Sequence, residues 1–164
     1  MHNELFPSSI RLPEGVQARM IAILDQHLAD AIDVQSHAKH AHWNLRGPHF
    51  AALHALFDEV AEALEEHVDD LAERIVQLGG STDGTTRGVT TRSKVPAYPS
   101  IPSNDGLGHA SALARSLALF ANAARGAIRA SSDAGDDVTA DLFTGVVRGV
   151  DKLLWMVESH VPRA

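Results

Sequence analysis

The segment from Ser81 to Gly106, STDGTTRGVTTRSKVPAYPSIPSNDG, constrains the fold more than any other stretch of the chain. It is rich in Gly, Pro, Ser and Thr, and it separates two pairs of helical segments whose own internal connections are short. Apolar residues recur at helical spacing over about 14–45, 49–78, 106–131 and 137–160. The turn RGPH (Arg46 to His49) joins the first two, and SDAGDD joins the last two. An up-and-down bundle needs a short second connection, whereas a ferritin-like four-helix bundle carries one long crossover. An unstructured connection of this length is unusual inside a compact domain. The sequence therefore predicts an all-α, ferritin-like four-helix bundle whose crossover carries a short extra helix near Thr85 to Ser93.

Pro13 suits the first turn of the first helix, whose apolar stripe runs through Val16, Met20, Ile23, Leu24, His27, Leu28, Ala31 and Val34. Gly79 and Gly80 stop the second helix. At 164 residues and 45% hydrophobic content, the chain makes one domain over 1–164, with a short N-terminal arm over 1–13. No apolar run reaches membrane-spanning length, and the N-terminus lacks the basic start and apolar stretch of a secretory signal, so a cytoplasmic location is expected. Cysteine is absent, which removes thiolate chemistry and leaves nitrogen and oxygen as the only metal donors. A formal net charge of −7 disfavours a polyanionic partner.

The second helix carries His54, Asp58, Asp69 and Glu73 on one line. At about 100° per residue, with His54 at zero, they fall near about 40°, 60° and 100°. Leu53, Phe57, Val60, Leu64, Val68, Leu71, Ile75 and Leu78 occupy a separate apolar stripe, which marks the bundle core. His54 and Asp58 are about 6 Å apart along the axis, but about 16 Å of helix separates Asp58 from Asp69. One ion cannot bridge both pairs. Two copies packed antiparallel across a two-fold axis would bring His54 and Asp58 of one chain to Asp69 and Glu73 of the other, giving two identical composite sites. His42, at the end of the preceding helix, is placed to complete the histidine half. Carboxylates and histidines on an outer helix face are most often merely solvated, and Glu59, Glu62, Glu65, Glu66 and Asp70 are read that way.

The pieces HAHWNLRGPHFAALHALFDE, EHVDDLAERIVQLGG, GTTRGVTTRSKVPAYP, DDVTADLF and DKLLWMVESH closely resemble the Dps family, small ferritin relatives named as DNA-binding proteins from starved cells. The resemblance covers nearly the whole chain from Val34 onward. It implies a hollow twelve-subunit shell, an iron-storing ferroxidase that oxidises Fe(II), preferably with hydrogen peroxide, and protects against oxidative stress. It assigns His42, His54 and Asp58 to one half of an intersubunit site and Asp69 with Glu73 to the half from the two-fold mate. Trp43 would be an electron donor that quenches oxidising radicals, or equally a packing aromatic. Imidazole and carboxylate donors suit iron, and zinc would compete for the same groups without redox chemistry.

Asp133, Asp136, Asp137 and Asp141 gather at the start of the last helix. Such carboxylates cap a helix N-terminus; by resemblance they also line three-fold pores that admit Fe(II). His37, His40, His49 and His67 flank the ligand residues and are read as packing histidines or as parts of an additional metal site, while His2, His27, His109 and His160 have no evident partner. The terminal arms MHNELFPSSIR and HVPRA are nearly uncharged, so DNA binding is expected to be weak or absent. Two other functions compete with the ferroxidase: a nucleoid protein that shields DNA physically, and a shell that buffers zinc or another divalent metal with little oxidation.

Overall fold

A computed structural model describes residues 6–13 and 15–161. Its elements are α1 (Val16–Trp43), α2 (Phe50–Gln77), α3 (Thr86–Arg92), α4 (Gly106–Asp133) and α5 (Asp137–Glu158). The expected four long helices and the extra crossover helix are present, with boundaries displaced by about two residues, the usual uncertainty at a helix end.

Local chemistry sets those ends. Gly15, at φ 75°, supplies the left-handed residue before α1. Asp105 and Asp136 cap α4 and α5, their carboxylates accepting from the backbone N–H of Gly108 (2.8 Å) and Thr139 (3.1 Å). The α2 helix closes on Gly79 at φ 84°, with the Gly80 N–H donating to the Ile75 carbonyl at 2.9 Å.

In the bundle, α1 packs against α2 and α4, and α5 packs against α4 and α2. Met20, Leu24, Leu28, Phe57, Leu64, Phe120 and Phe143 are fully enclosed between them. Removing each such side chain from water stabilises the fold by about 1.5–3 kcal/mol. Of the apolar stripe on α2, Val68 alone is only half-buried.

Acids of α1 hold down the crossover. Asp25 pairs with Arg92, Asp33 accepts from the Ser93 hydroxyl at 2.6 Å, and Asp30 accepts from the Lys94 N–H at 2.7 Å. The segment then returns along α1 to the start of α4, where the Arg46 N–H donates to the Ser103 carbonyl at 2.7 Å. This contact ties the crossover to the turn that presents the candidate ligands. Among the described residues, no helix is long and apolar enough to cross a membrane.

Candidate metal centre

His42 lies in the last turn of α1 and His54 in the second turn of α2, so the short turn between the helices folds one imidazole onto the other. Their ring centroids are 3.7 Å apart and the rings are nearly parallel, at 20°. Phe50 also stacks on His54, at 4.7 Å. Each histidine reaches the other's backbone: His42 Nδ1 is 2.8 Å from the His54 carbonyl, and His54 Nδ1 is 3.0 Å from the His42 carbonyl. A carbonyl only accepts, so in both rings Nδ1 carries the proton and donates it. In the neutral rings both Nε2 atoms then keep their lone pairs. This is how metal-binding histidines are ordinarily oriented, with one nitrogen tied to the protein and the other left basic.

Asp58 sits one turn beyond His54, with its Oδ1 4.0 Å from His42 Nδ1. Its carboxylate is engaged by Lys39 of α1. The Lys39 hydrogen bond holds the Asp58 carboxyl below the usual carboxylate range, and the charge of His42 when protonated acts in the same direction. Asp58 is thus a ready anion, but one with a cation already beside it.

Asp69 and Glu73 are exposed in the second half of α2. Among the described residues, no three His, Asp or Glu side chains converge so as to hold an ion. His42, His54 and Asp58 are gathered at one end of α2; Asp69 and Glu73 are not brought to them within the chain. Trp43, beside His42, is 71% exposed.

The acidic group at the head of α5 divides. Asp133, Asp137 and Asp141 are exposed, whereas Asp136 is buried. Its two carboxylate oxygens accept from Arg74 Nη2 at 3.0 and 3.2 Å, and one also accepts from the Thr139 hydroxyl at 2.5 Å. Burial opposes ionisation of Asp136, but the Thr139 hydroxyl and N–H together with Arg74 outweigh it and lower the carboxyl's pKa. The expectation that Asp136 lines a pore is therefore corrected: it is the cap and internal ion-pair partner of the α5 terminus. The capping residue of a helix turns its side chain back onto the first free N–H groups, so Asp136 faces inward while Asp133, Asp137 and Asp141 stay exposed.

A comparison with known proteins decides the family. The ferritin-like domain matches residues 21–163. A curated relative from Agrobacterium fabrum, "DNA protection during starvation protein", is 43% identical over 92% of both chains. The chain belongs to the Dps family of ferritin-like proteins.

Solved Dps structures show the same fold. DpsA14 from Streptomyces coelicolor superposes with a TM-score of 0.89 at 31% identity, covering 98% of this chain and 95% of its own. Dps from Mycobacterium smegmatis, in its tetragonal form, gives 0.88 at 27% identity, covering 94% and 93%.

Within this Dps fold, several other histidines have clear structural partners. His37 is buried, with Nδ1 3.0 Å from the Ser116 hydroxyl. His27 packs edge-on against Phe143 at 4.9 Å. His109 meets Tyr98, as described below. Sequence reading missed Lys39 as the neighbour of Asp58 and Arg74 as the partner of Asp136. Each pairing spans two helices, and no local spacing reports which residues meet across such a contact.

Proposed function

We propose that this chain is the subunit of an iron-storing shell that oxidises Fe(II), its substrate, at sites shared between two-fold-related copies. The observation that carries the reading is the pair of stacked imidazoles whose Nδ1 atoms are committed to backbone carbonyls, beside an ionised Asp58. His42, His54 and Asp58 are one half of the site; Asp69 and Glu73 of the mate are the other. Few donors on each side leave room for the oxidant. Bringing two such halves together requires an isologous dimer, which is the building unit of the proposed twelve-subunit assembly.

In this reading the chain's residues bind and orient. The stacked histidines offer two fixed nitrogen donors, and the carboxylates supply the negative charge that favours the ferric product. Hydrogen peroxide is the preferred oxidant: each peroxide accepts one electron from each of two Fe(II) ions, its O–O bond breaks, and two protons complete two waters. Ferric product is stored as mineral inside the shell. Exposed Asp133, Asp137 and Asp141 line the pores that admit Fe(II), where three-fold repetition concentrates their field. Trp43, exposed beside His42, is an electron donor to oxidising radicals. Zinc would occupy the same donors and inhibit.

The Agrobacterium relative is named for DNA protection. Here we assign protection to removal of Fe(II) and peroxide in the cytoplasm rather than to shielding by contact, because the net charge is −7. The direct test mixes metal-stripped protein with Fe(II) anaerobically, adds peroxide and follows ferric absorbance. Rapid, soluble oxidation that is lost in His54→Ala, Asp58→Ala supports the reading. Equal slow oxidation in both would favour a divalent-metal buffer instead.

A further inference from the structure

The crossover places one aromatic residue in a setting that the iron site does not explain. Tyr98 is the only tyrosine of the chain. Its hydroxyl lies 3.0 Å from His109 Nδ1 and 3.3 Å from the His109 backbone carbonyl, a second acceptor for the phenolic proton. Three imidazoles surround its ring: His40 at 5.0 Å and His37 at 5.1 Å, both edge-on, and His109 stacked at 5.9 Å. His37 is committed to Ser116. His109 is completely enclosed, and its Nε2 has no hydrogen bond of ordinary geometry.

Burial pushes the His109 pKa down, as does the nearby His40, so the ring is neutral and one of its nitrogens has a free lone pair. The Pro102 carbonyl acts on the same ring as a hydrogen-bond acceptor, favouring the protonated imidazole. Burial also holds the Tyr98 phenol well above its ordinary range, so it does not ionise before it is oxidised. A phenol that loses an electron becomes strongly acidic, and in a site with little water its proton must pass to a positioned base. His109 Nδ1 is that base. The exposed His40 ring lies against Tyr98 and stands two positions before His42 in α1, little more than half a helix turn away, so the phenol and the candidate metal centre flank the same end of that helix.

We propose that Tyr98, with His109 as its proton acceptor, is a redox-active tyrosine that intercepts one-electron oxidants escaping the iron site. The oxidant is of the hydroxyl-radical class, formed when a single Fe(II) reduces peroxide; this source rests on the ferroxidase reading. Tyr98 gives one electron to the radical, which becomes hydroxide. The phenolic O–H bond breaks, and the proton forms an N–H bond at His109 Nδ1. A second Fe(II) returns one electron to the phenoxyl and becomes Fe(III), while the proton passes back to oxygen. The net reaction oxidises one further Fe(II) in place of a damaged side chain.

The test uses the assembled, metal-free protein. Azide radicals generated by pulse radiolysis oxidise it without iron, and electron paramagnetic resonance reads the product. Because there is one tyrosine, every phenoxyl signal belongs to it. The expected result is a phenoxyl with an exchangeable-proton coupling from the histidine N–H, absent in Tyr98→Phe, and formed about a hundredfold more slowly in His109→Gln. Phenoxyl formation that is unchanged in His109→Gln, or indolyl radicals alone in the unsubstituted protein, would overturn the proposal. Should His109→Gln fail to fold, a phenoxyl without the exchangeable coupling overturns it equally. A parallel sample frozen during Fe(II) and peroxide turnover should show the same radical. Its absence while iron is being oxidised would remove the physiological role; absence of iron oxidation would instead refute the ferroxidase reading, with the azide experiment still judging the tyrosine–histidine pair.

Discussion

His42 and His54 each donate a ring proton to the other's backbone carbonyl while their imidazoles stack at 3.7 Å, so neither ring can turn without breaking two contacts. Both rings should therefore be the Nδ1–H tautomer whenever they are neutral. Nitrogen-15 NMR of the imidazoles should find Nδ1 protonated and Nε2 bare in the metal-free protein, and Zn(II) should shift the Nε2 resonances. Replacing His54 with Ala removes a donor and the ring stacked on His42, while the His42 bond to the residue 54 carbonyl survives, so oxidation should fall by more than about tenfold, the smallest effect typical of lost contacts at a metal site. Retention of full activity would show that the pair is not a ligand set.

Lys39 competes with any cation for Asp58. A metal ion that takes Asp58 must displace the Lys39 ammonium, whose own pKa is raised by the hydrogen bond to Asp58. Lys39→Met should tighten Zn(II) binding, measured calorimetrically, by about a few fold, because a surface ion pair is worth little. Weaker binding would mean that Lys39 orients the carboxylate more than it blocks it.

Asp136 and Asp137 are neighbours, but Asp136 is buried in an ion pair with Arg74 and Asp137 is exposed. Asp137→Asn, Asp141→Asn should slow iron uptake and flatten its dependence on ionic strength while leaving stability nearly unchanged. Arg74→Met strands a buried carboxylate and should cost about 3–5 kcal/mol in chemical denaturation. Equal uptake in the Asp137, Asp141 variant would count against the pore.

The pH dependence of stability has a definite sign. Asp136 has a folded pKa below its ordinary value of 3.8. Its stabilising contribution is thus complete above that value and is lost as pH falls through the lower folded one. The urea midpoint of the unsubstituted protein should drop more steeply on acidification in that window than that of Asp136→Asn. Parallel curves would mean the ion pair does not set acid sensitivity.

Much of this molecule was legible from the chain because the helices obey simple periodicity and have strong punctuation. Pro13, Gly79 and the long Ser81 to Gly106 segment bracket the elements where the structure has them, and the α2 arithmetic separates the polar line from the core. What remained hidden depends on meetings between distant elements. Asp136 could not be told from Asp137 by composition, because capping phase decides which carboxylate turns inward. Tyr98 and His109 belong to the crossover and α4, and only the path of the crossover brings the phenol onto the imidazole. The mutual carbonyl bonds of His42 and His54 likewise follow from the α1–α2 crossing and have no local signature.

The net charge of −7 makes a separate prediction. Duplex DNA should not shift in a gel at physiological salt and neutral pH, since affinity for phosphates depends on releasing counterions with Lys and Arg. A shift that disappears on adding salt would restore direct DNA binding.

Whether the site is shared between copies is tested most directly by mixing two inactive variants. His54→Ala, Asp58→Ala lacks one half, and Asp69→Ala, Glu73→Ala lacks the other; each alone should oxidise Fe(II) slowly. Unfolded together in equal amounts and reassembled, half of the dimers should pair unlike chains, and each such dimer holds one site with both halves intact. Peroxide-driven oxidation should then return to about one quarter of the unsubstituted rate. Mixed shells as inactive as either variant alone would contradict an intersubunit ferroxidase site.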